Sequence, residues 1–176
     1  TYFVATTVDG KVARDDGTTP GFAMEGAHVT AFDERLADYD AVVMGRNTYQ
    51  VGLDAGLPLG QAAYPGLDNY VVSSTLAFPE GSTARLVREA PVPFTRSLLA
   101  DDRRVWICGG STLASALLDA GLVDRVIVKV NPVIYGTGIP LTRSLSDRVD
   151  LRLASSEVFD TGVVFLDYVT GASSGT

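Results

Sequence analysis

Short apolar runs of strand length alternate along this chain with stretches whose apolar residues recur at helical spacing. The clearest runs cover residues 2–7, 41–44, 70–73, 105–108 and 125–130. Val29, Phe32 and Leu36 recur at helical spacing, which predicts a helix over 27–38. Strands and helices in this order are typical of an α/β domain, in which both faces of a mostly parallel sheet are buried.

The C-terminal part of the chain has the pattern of an antiparallel hairpin. Apolar segments over 151–159 and 163–169 flank a turn at Asp160-Thr161-Gly162. The remaining elements that we predict are a short strand over 84–87, a short helix over 94–100, and loops over 14–26 and 53–68. Because the 176 residues contain no internal repeat and no linker, we expect one domain over 1–170 and a frayed tail over 171–176.

The composition of the chain argues against several classes of partner. Its formal net charge is -7, and no basic cluster is longer than Arg103-Arg104, so we expect no nucleic-acid binding. A membrane span needs about 20 apolar residues, and no apolar run approaches that length. The first residues lack the positive charges of a signal peptide. We therefore expect a cytoplasmic protein away from the membrane. A single Cys and a single His exclude an internal disulfide and a zinc or iron-sulfur cluster, so we expect no metal.

The turn that follows the second apolar run is a candidate anion site. Gly45 allows a ligand to approach the backbone, Arg46 offers a planar fork of donors, and Thr48 places a hydroxyl in the first helical turn. After the third run, Ser73 and Ser74 could bind a further phosphate or a ribose. The alternatives are a tight connection without a ligand for the first turn, and local side-chain caps for the two serines.

A second strand-to-helix turn follows the run at 105–108. Gly109 and Gly110 have no side chain that would fend off a phosphate. We predict Ser111 as the N-cap of the next helix, with Thr112 beside it in the first turn. A helix N-terminus offers unpaired N–H groups and a partial positive charge, so this turn too is a candidate phosphate site, with a ligand-free connection as the alternative.

Several of these segments together resemble a known family. They are residues 7–13, 43–49, 72–74, 109–111 and 132–141. In order and spacing they are similar to the reductases that include dihydrofolate reductase and the C-terminal reductase domain of riboflavin biosynthesis. The Met-Gly-Arg-Asn-Thr-Tyr block at 44–49 and the Gly-Gly pair are the most specific, and Asp-Gly-Lys at 9–11 favours the riboflavin branch. The resemblance implies a three-layer αβα fold of about eight mostly parallel strands with an antiparallel C-terminal strand.

The resemblance also implies NADPH as the cofactor. It places the cofactor phosphates at Gly45, Arg46 and Thr48, and the adenosine ribose with its 2′-phosphate near Ser73 and Ser74. It places the pyrophosphate at 109–112, with a cis Gly109-Gly110 bond. The implied reaction is hydride transfer to a small heterocycle of the pterin or aminopyrimidine type, or to a carbonyl. The motif departs from the riboflavin branch at Cys108, where such reductases commonly carry a glutamate that serves the substrate site.

The candidates for the catalytic residues lie in the first third of the chain. Lys11 could donate a proton or pair with a substrate phosphate, and its alternative is a solvated turn lysine. Asp9 could assist it or only cap its own turn. Glu25 and His28 are further candidates for the proton donor. We interpret both of them as surface residues at a helix start. We interpret Cys108 as a small buried apolar residue.

Three functions remain open from the sequence: an NADPH-dependent reductase, a nucleotide-binding or regulatory module of the same fold without turnover, and a structural homodimer subunit. The resemblance implies a homodimer. We expect its interface at 125–141, around Ile134 and Tyr135, together with the hairpin side chains of Phe159, Phe165 and Tyr168, since one small sheet cannot bury them all. The alternative is a monomer in which they pack beneath the helix that starts at Ser111.

Overall fold

A computed structural model describes residues 1–171. The strands are β1 (Tyr2–Thr7), β2 (Lys11–Ala13), β3 (Ala41–Gly45), β4 (Asp68–Val72), β5 (Arg85–Val87), β6 (Val105–Gly109), β7 (Arg125–Asn131), β8 (Ile139–Pro140), β9 (Leu151–Val158) and β10 (Val164–Thr170). The helices are α1 (Ala27–Leu36), α2 (Arg46–Asp54), α3 (Pro91–Ala100) and α4 (Ser111–Asp119).

Eight of the strands form one sheet in the order β5-β4-β3-β6-β1-β7-β10-β9. Every neighbouring pair from β5 to β7 is parallel, whereas β10 runs antiparallel to both β7 and β9. The separate pair of β2 and β8 forms a small antiparallel sheet. A mostly parallel sheet with one antiparallel strand near its C-terminal edge confirms the predicted fold class.

The core lies on both faces of this sheet. One cluster packs beneath α3 and α4 and includes Tyr2, Val43 and Leu117. The other packs beneath α1 and α2 and includes Phe3 and Trp106, so neighbouring residues of β1 are buried on opposite faces. Burial on two faces is the reason why the parallel strands are continuous apolar runs in the sequence instead of alternating patterns.

The structure corrects two sequence expectations about local structure and adds one feature that the sequence does not predict. His28 is fully buried instead of lying at the surface. The side chain of Ser111 does not cap α4; the N-cap position is Gly110, which has no side-chain cap bond. Residues 11–13 and 139–140, for which the sequence predicts no strand, pair as the small sheet, because strands of two or three residues are too short to give a periodic signal.

Part of the expected dimer surface is buried within the subunit. β7 is an interior strand between β1 and β10, and Phe165 is buried against Phe3. Ile134 is exposed as expected. Of the tail predicted over 171–176, all residues after Gly171 lie outside the described part of the chain. No helix in residues 1–171 has the length and apolar composition that crossing a bilayer requires.

Candidate functional site

The two glycine turns predicted from the sequence meet at the carboxyl edge of the sheet. β3 and β6 are neighbours, so the starts of α2 and α4 lie side by side. A Cβ placed on Gly45 would lie 3.5 Å from the backbone nitrogen of Gly110, and one placed on Gly110 would lie 3.5 Å from Oγ1 of Thr48. The Gly109-Gly110 bond is cis, as the resemblance implied. Glycine therefore keeps this junction free of side chains.

The helices that leave this junction both start without a side-chain cap. Gly45 and Gly110 occupy the two N-cap positions, and neither first turn contains an acidic residue. The hydroxyl of Ser111 donates to the carbonyl oxygen of Pro140 in β8, which turns it away from its own helix. Since no side chain within residues 1–171 accepts the first N–H groups of either helix, both termini keep donors for an anionic ligand.

An open cavity of about 440 Å³ adjoins the start of α2. Its polar lining comes from the ends of three parallel strands and comprises Arg46, Ser73, Ser74, Thr75, Arg88 and Glu89. The Arg46 guanidinium donates to Oγ1 of Thr75 at 3.2 Å. Within the described residues, neither Arg46 nor Arg88 forms an ion pair, so the cavity carries two guanidinium groups against the single carboxylate of Glu89.

Ser73 and Ser74 differ in what they offer the cavity. The Ser73 hydroxyl oxygen accepts the backbone N–H groups of Thr75 and Leu76 at 3.2 and 3.1 Å, so it holds the loop after β4. Arg88 holds the same loop from the other side, since its guanidinium donates to the carbonyl oxygens of Ser73 and Leu76. Ser74 is exposed at the cavity. The structure thus fits a local cap for Ser73 and an available hydroxyl for Ser74.

Arg88 was not singled out from the sequence. Its position in the sequence could have identified it, because Arg88 directly follows the short strand predicted at 84–87. The carboxyl ends of parallel strands form the edge of the sheet where ligands bind.

The Asp-Gly-Lys turn follows β1 at the same edge of the sheet. The Asp9 carboxylate accepts the Thr7 hydroxyl at 2.6 Å and the backbone N–H groups of Tyr135 and Gly136 at 3.1 and 2.8 Å. These hydrogen bonds, that from Thr7 above all, lower the pKa of Asp9 to about 2. Asp9 is therefore an ionised clamp between the end of β1 and the loop before β8, and at neutral pH it has no proton to donate.

Lys11 contrasts with Asp9 in having a side chain that is free to act. Its backbone N–H donates to Oγ1 of Thr7 at 2.9 Å, which fixes the start of β2. Its ammonium group makes no hydrogen bond and no ion pair within residues 1–171. A half-buried lysine with an unpaired ammonium can bind an anionic group of a ligand or supply a proton.

Cys108 lies at the end of β6, directly before the glycine junction. Its thiol is 3.6 Å from the phenol oxygen of Tyr64, whose ring packs edge-on against Trp106 at 4.4 Å between centroids. Burial raises the pKa of the Cys108 thiol to about 11. The thiol is therefore protonated at neutral pH, which fits the apolar character that the sequence predicts for Cys108, although the residue is half-buried and not fully buried.

His28 anchors the long loop that precedes α1. Its Nε2 lies 3.0 Å from the carbonyl oxygen of Ala23, and its Nδ1 lies 3.0 Å from Oγ1 of Thr161 in the C-terminal hairpin. Asn131 accepts the Ala23 N–H with its side-chain oxygen at 3.0 Å. Both ring nitrogens of His28 are occupied within the protein, so the proton role considered for it has no support in the geometry. Glu25 is exposed beside it.

The described residues contain no group of three or more His, Cys, Asp or Glu side chains that could hold a metal ion. The donors that the structure does gather are N–H groups, guanidinium groups and hydroxyls. Such donors bind phosphate oxygens, so the site fits a phosphorylated organic ligand.

Comparisons with known proteins agree with this arrangement. The chain is 26% identical over 165 residues to the uncharacterised protein YwjB of Bacillus subtilis, with 92% of each chain covered. It is 31% identical over 147 residues to the riboflavin biosynthesis protein RibD of Mycobacterium tuberculosis; the match covers 77% of this chain and 42% of RibD, less than half of that protein's length.

Solved structures show the same fold. The crystal structure of a pyrimidine reductase-like protein from Corynebacterium diphtheriae matches with a TM-score of 0.76 at 15% identity, over 98% of this chain and 91% of that chain. The sheet order, the helices on both faces and these matches establish a dihydrofolate reductase-like fold. The RibD C-terminal domain family model matches residues 1–165, and the chain belongs to that family.

Proposed function

We propose that this chain is an NADPH-dependent reductase that acts on a small heterocycle of the pterin or aminopyrimidine type, or on a carbonyl compound. The observation that carries the proposal is the junction of two uncapped helix starts, α2 and α4, beside the cavity with Arg46 and Arg88. The family supports it, as do the names of relatives, which include a riboflavin biosynthesis protein and a pyrimidine reductase-like protein.

The described residues fit the phosphates of such a cofactor. The N–H groups at 45–48 and 109–112 would hold the pyrophosphate, because the glycines leave room for it and no side chain competes for the donors. Arg46, Arg88 and Ser74 would address the adenosine 2′-phosphate in the cavity. When bound, NADPH supplies the hydride, and the protein provides binding, orientation and charge.

The substrate side of the proposal rests on Lys11. Its unpaired ammonium would neutralise an anionic substrate group or protonate the atom on which negative charge develops. Asp9 acts through position: its ionised carboxylate holds the loop at 135–136 against Thr7 and so fixes the turn that presents Lys11. Asp9 is thus a positioning residue in this scheme.

A second candidate function is a nucleotide-binding or regulatory module of the same fold without turnover. The observation that favours it is Cys108. A thiol with a raised pKa supplies neither the negative charge nor the proton of the glutamate that the riboflavin branch commonly carries before the Gly-Gly pair. The two functions share the cofactor site and differ only in catalysis.

An activity screen separates these functions. NADPH consumption is followed by its absorbance with the purified chain and panels of pterins, aminopyrimidines, quinones and aldehydes. The reductase predicts turnover with at least one substrate class, lost in Lys11→Met while NADPH still binds; Asp15→Asn, a change at an exposed neighbouring residue, serves as the matched control. NADPH binding without turnover on any panel member favours the module, and absence of NADPH binding contradicts both.

A further inference from the structure

Lys129 is one of only two lysines in the chain, and the second is Lys11; the other permanently cationic side chains are arginines. It lies on β7, opposite Ala5 of β1 and Phe165 of β10. Paired residues share a face of a sheet, so the Lys129 side chain lies on the face that α1 and α2 cover. The cofactor site proposed for this chain does not include it.

This face of the sheet becomes accessible as the strands approach their carboxyl ends. Phe3 and Ile127 are buried, whereas Ala5 and Lys129, the next pair on the same face, are half-buried. Cys108 of β6 belongs to the same face and is also half-buried. Since β6, β1 and β7 are neighbours, these residues form an accessible strip that runs from Lys129 to the glycine junction.

The ammonium group of Lys129 makes one weak contact inside the protein. It donates to the carbonyl oxygen of Ala23 at 3.3 Å, an oxygen that also lies 3.0 Å from Nε2 of His28. The N–H of Ala23 is bound by Asn131 at the end of β7, so Lys129 extends towards the carboxyl edge of the sheet. One hydrogen bond uses one of the three ammonium donors, and two remain for a ligand.

A half-buried cation without a carboxylate partner is an exception in this structure. Within residues 1–171 the half-buried arginines are Arg35 and Arg103, and they pair with carboxylates at 2.7 and 2.6 Å. Lys129 forms no ion pair with any described residue, and Asp33 of α1 acts on its charge only from beyond that distance. Burial lowers the pKa of Lys129, because it disfavours the charged form. An anion from outside the chain would offset that cost.

We propose that Lys129 binds a carboxylate substituent of the molecule that this chain reduces, and that it thereby selects anionic acceptors. The proposal rests on the reductase function, and it divides the work between the two lysines. Lys129 takes the acidic substituent, and Lys11 remains free to act where charge develops in the reaction. A lysine suits this task, because its compact ammonium group binds a carboxylate without the fixed fork geometry of arginine.

The strip has a polarity that would orient such an acceptor. At its β6 end the Cys108 thiol is protonated and lies 3.6 Å from the phenol oxygen of Tyr64, so this end carries no charge. An acidic ligand therefore meets a cation at β7 and neutral groups at β6. Its carboxylate would lie at Lys129, and its reducible part would lie towards the glycine junction.

Pairs of probes that differ only in the acidic group test the selectivity. Calorimetry compares pterin-6-carboxylate with 6-methylpterin, and 4-formylbenzoate with 4-methylbenzaldehyde, with and without NADP⁺. At least one carboxylate should bind at least about tenfold more tightly than its neutral twin, because a hydrogen bond between charged groups contributes that much. Lys129→Met, which keeps the apolar stem, should make the twins equal. Equal twins in the parent chain, or no binding of either carboxylate, would overturn the proposal.

Two control variants separate charge from structure. Arg96→Met removes an exposed cation of α3 and should leave the preference unchanged. Thr161→Val removes the hydroxyl that holds Nδ1 of His28, and so loosens the contact of His28 with Ala23 without altering any charge. This variant should also keep the preference, and Lys129→Arg should retain most of it. Circular dichroism verifies folding. If folded Thr161→Val loses the preference as Lys129→Met does, anchoring of the loop is the cause and the proposal is wrong.

Turnover distinguishes failure of this proposal from failure of the reductase function. The same probes are offered to the parent chain with NADPH. A carboxylate preference that depends on Lys129, without reduction of any probe, would contradict the reductase function and leave Lys129 as the site of an acidic ligand. Reduction of the neutral twins with the same kcat/KM as the carboxylates would overturn the role of Lys129 and leave the reductase function intact.

Discussion

Gly45 and Gly110 are in contact across the carboxyl edge of the sheet, where a Cβ on Gly45 would meet the backbone nitrogen of Gly110 at 3.5 Å. This contact joins the starts of α2 and α4, which come from distant parts of the sequence. Two sets of helix N–H donors thereby face one crevice. Cofactor binding at the proposed site requires that this crevice be free of side chains.

Gly110→Val should abolish NADPH binding and leave the folded protein nearly as stable as the parent. Gly110 has a φ of -81°, which valine can adopt, so the branched side chain would fill the crevice without forcing the backbone. Gly109→Ala is the informative contrast: at a φ of +126° an alanine is strained and should cost about 1 kcal/mol or more of stability. Calorimetric titration and thermal melting measure the two effects, and full binding by Gly110→Val would contradict the site.

Arg46→Ala should weaken NADPH much more than NADH. A charge-assisted hydrogen bond is worth about 1.5 to 3 kcal/mol, so the ratio of the two dissociation constants should fall about tenfold or more. The melting temperature of the free protein should hardly change, because among the residues that the structure describes the Arg46 side chain donates only to Thr75. Arg104→Ala, at the opposite end of the strands, is the control. Equal losses for both cofactors would remove Arg46 from the 2′-phosphate site.

Asp9→Asn should lower stability at neutral pH, and this deficit should shrink in acid. In the folded protein the hydrogen bond from Thr7, helped by the N–H groups of the 135–136 loop, lowers the pKa of Asp9 from 3.8 to about 2. The ionised carboxylate therefore contributes stability above about pH 4, and this contribution is lost as the pH falls towards 2. Thermal melting of both proteins across this range is the measurement. A deficit that does not change with pH would contradict the clamp.

Much of the site could be predicted because it consists of local patterns. A buried strand, a glycine and a helix start are contiguous in the sequence, and parallel pairing brings such turns to one edge of a sheet. Gly45, Arg46, Gly109 and Gly110 were identified in this way. The α/β class followed from periodicity, since strands that are buried on both faces are continuous apolar runs, and the eight-stranded arrangement followed from the resemblance to the reductase family.

The remaining features depend on long-range contacts that no local pattern encodes. The hydroxyl of Ser111 was predicted to cap α4, but it donates a hydrogen bond to the carbonyl oxygen of Pro140 in β8. The Asp9 carboxylate accepts the local Thr7 hydroxyl, but it also accepts the N–H groups of Tyr135 and Gly136, which lie more than a hundred residues away. His28 was expected at the surface of a helix start, whereas Ala23 and Thr161 hold both of its ring nitrogens. Tertiary packing decided each of these cases.

The central claim is that the glycine junction binds NADPH, and the only tryptophan of the chain provides the measurement. Trp106 is buried on β6, the strand that leads into Gly109, so NADPH whose pyrophosphate binds at the junction should quench its emission by energy transfer to the reduced nicotinamide. Titration of the parent chain should give saturable quenching, with a dissociation constant for NADPH at least about tenfold below that for NADH. Absence of saturable quenching by NADPH, or equal constants for the two cofactors, would contradict the account.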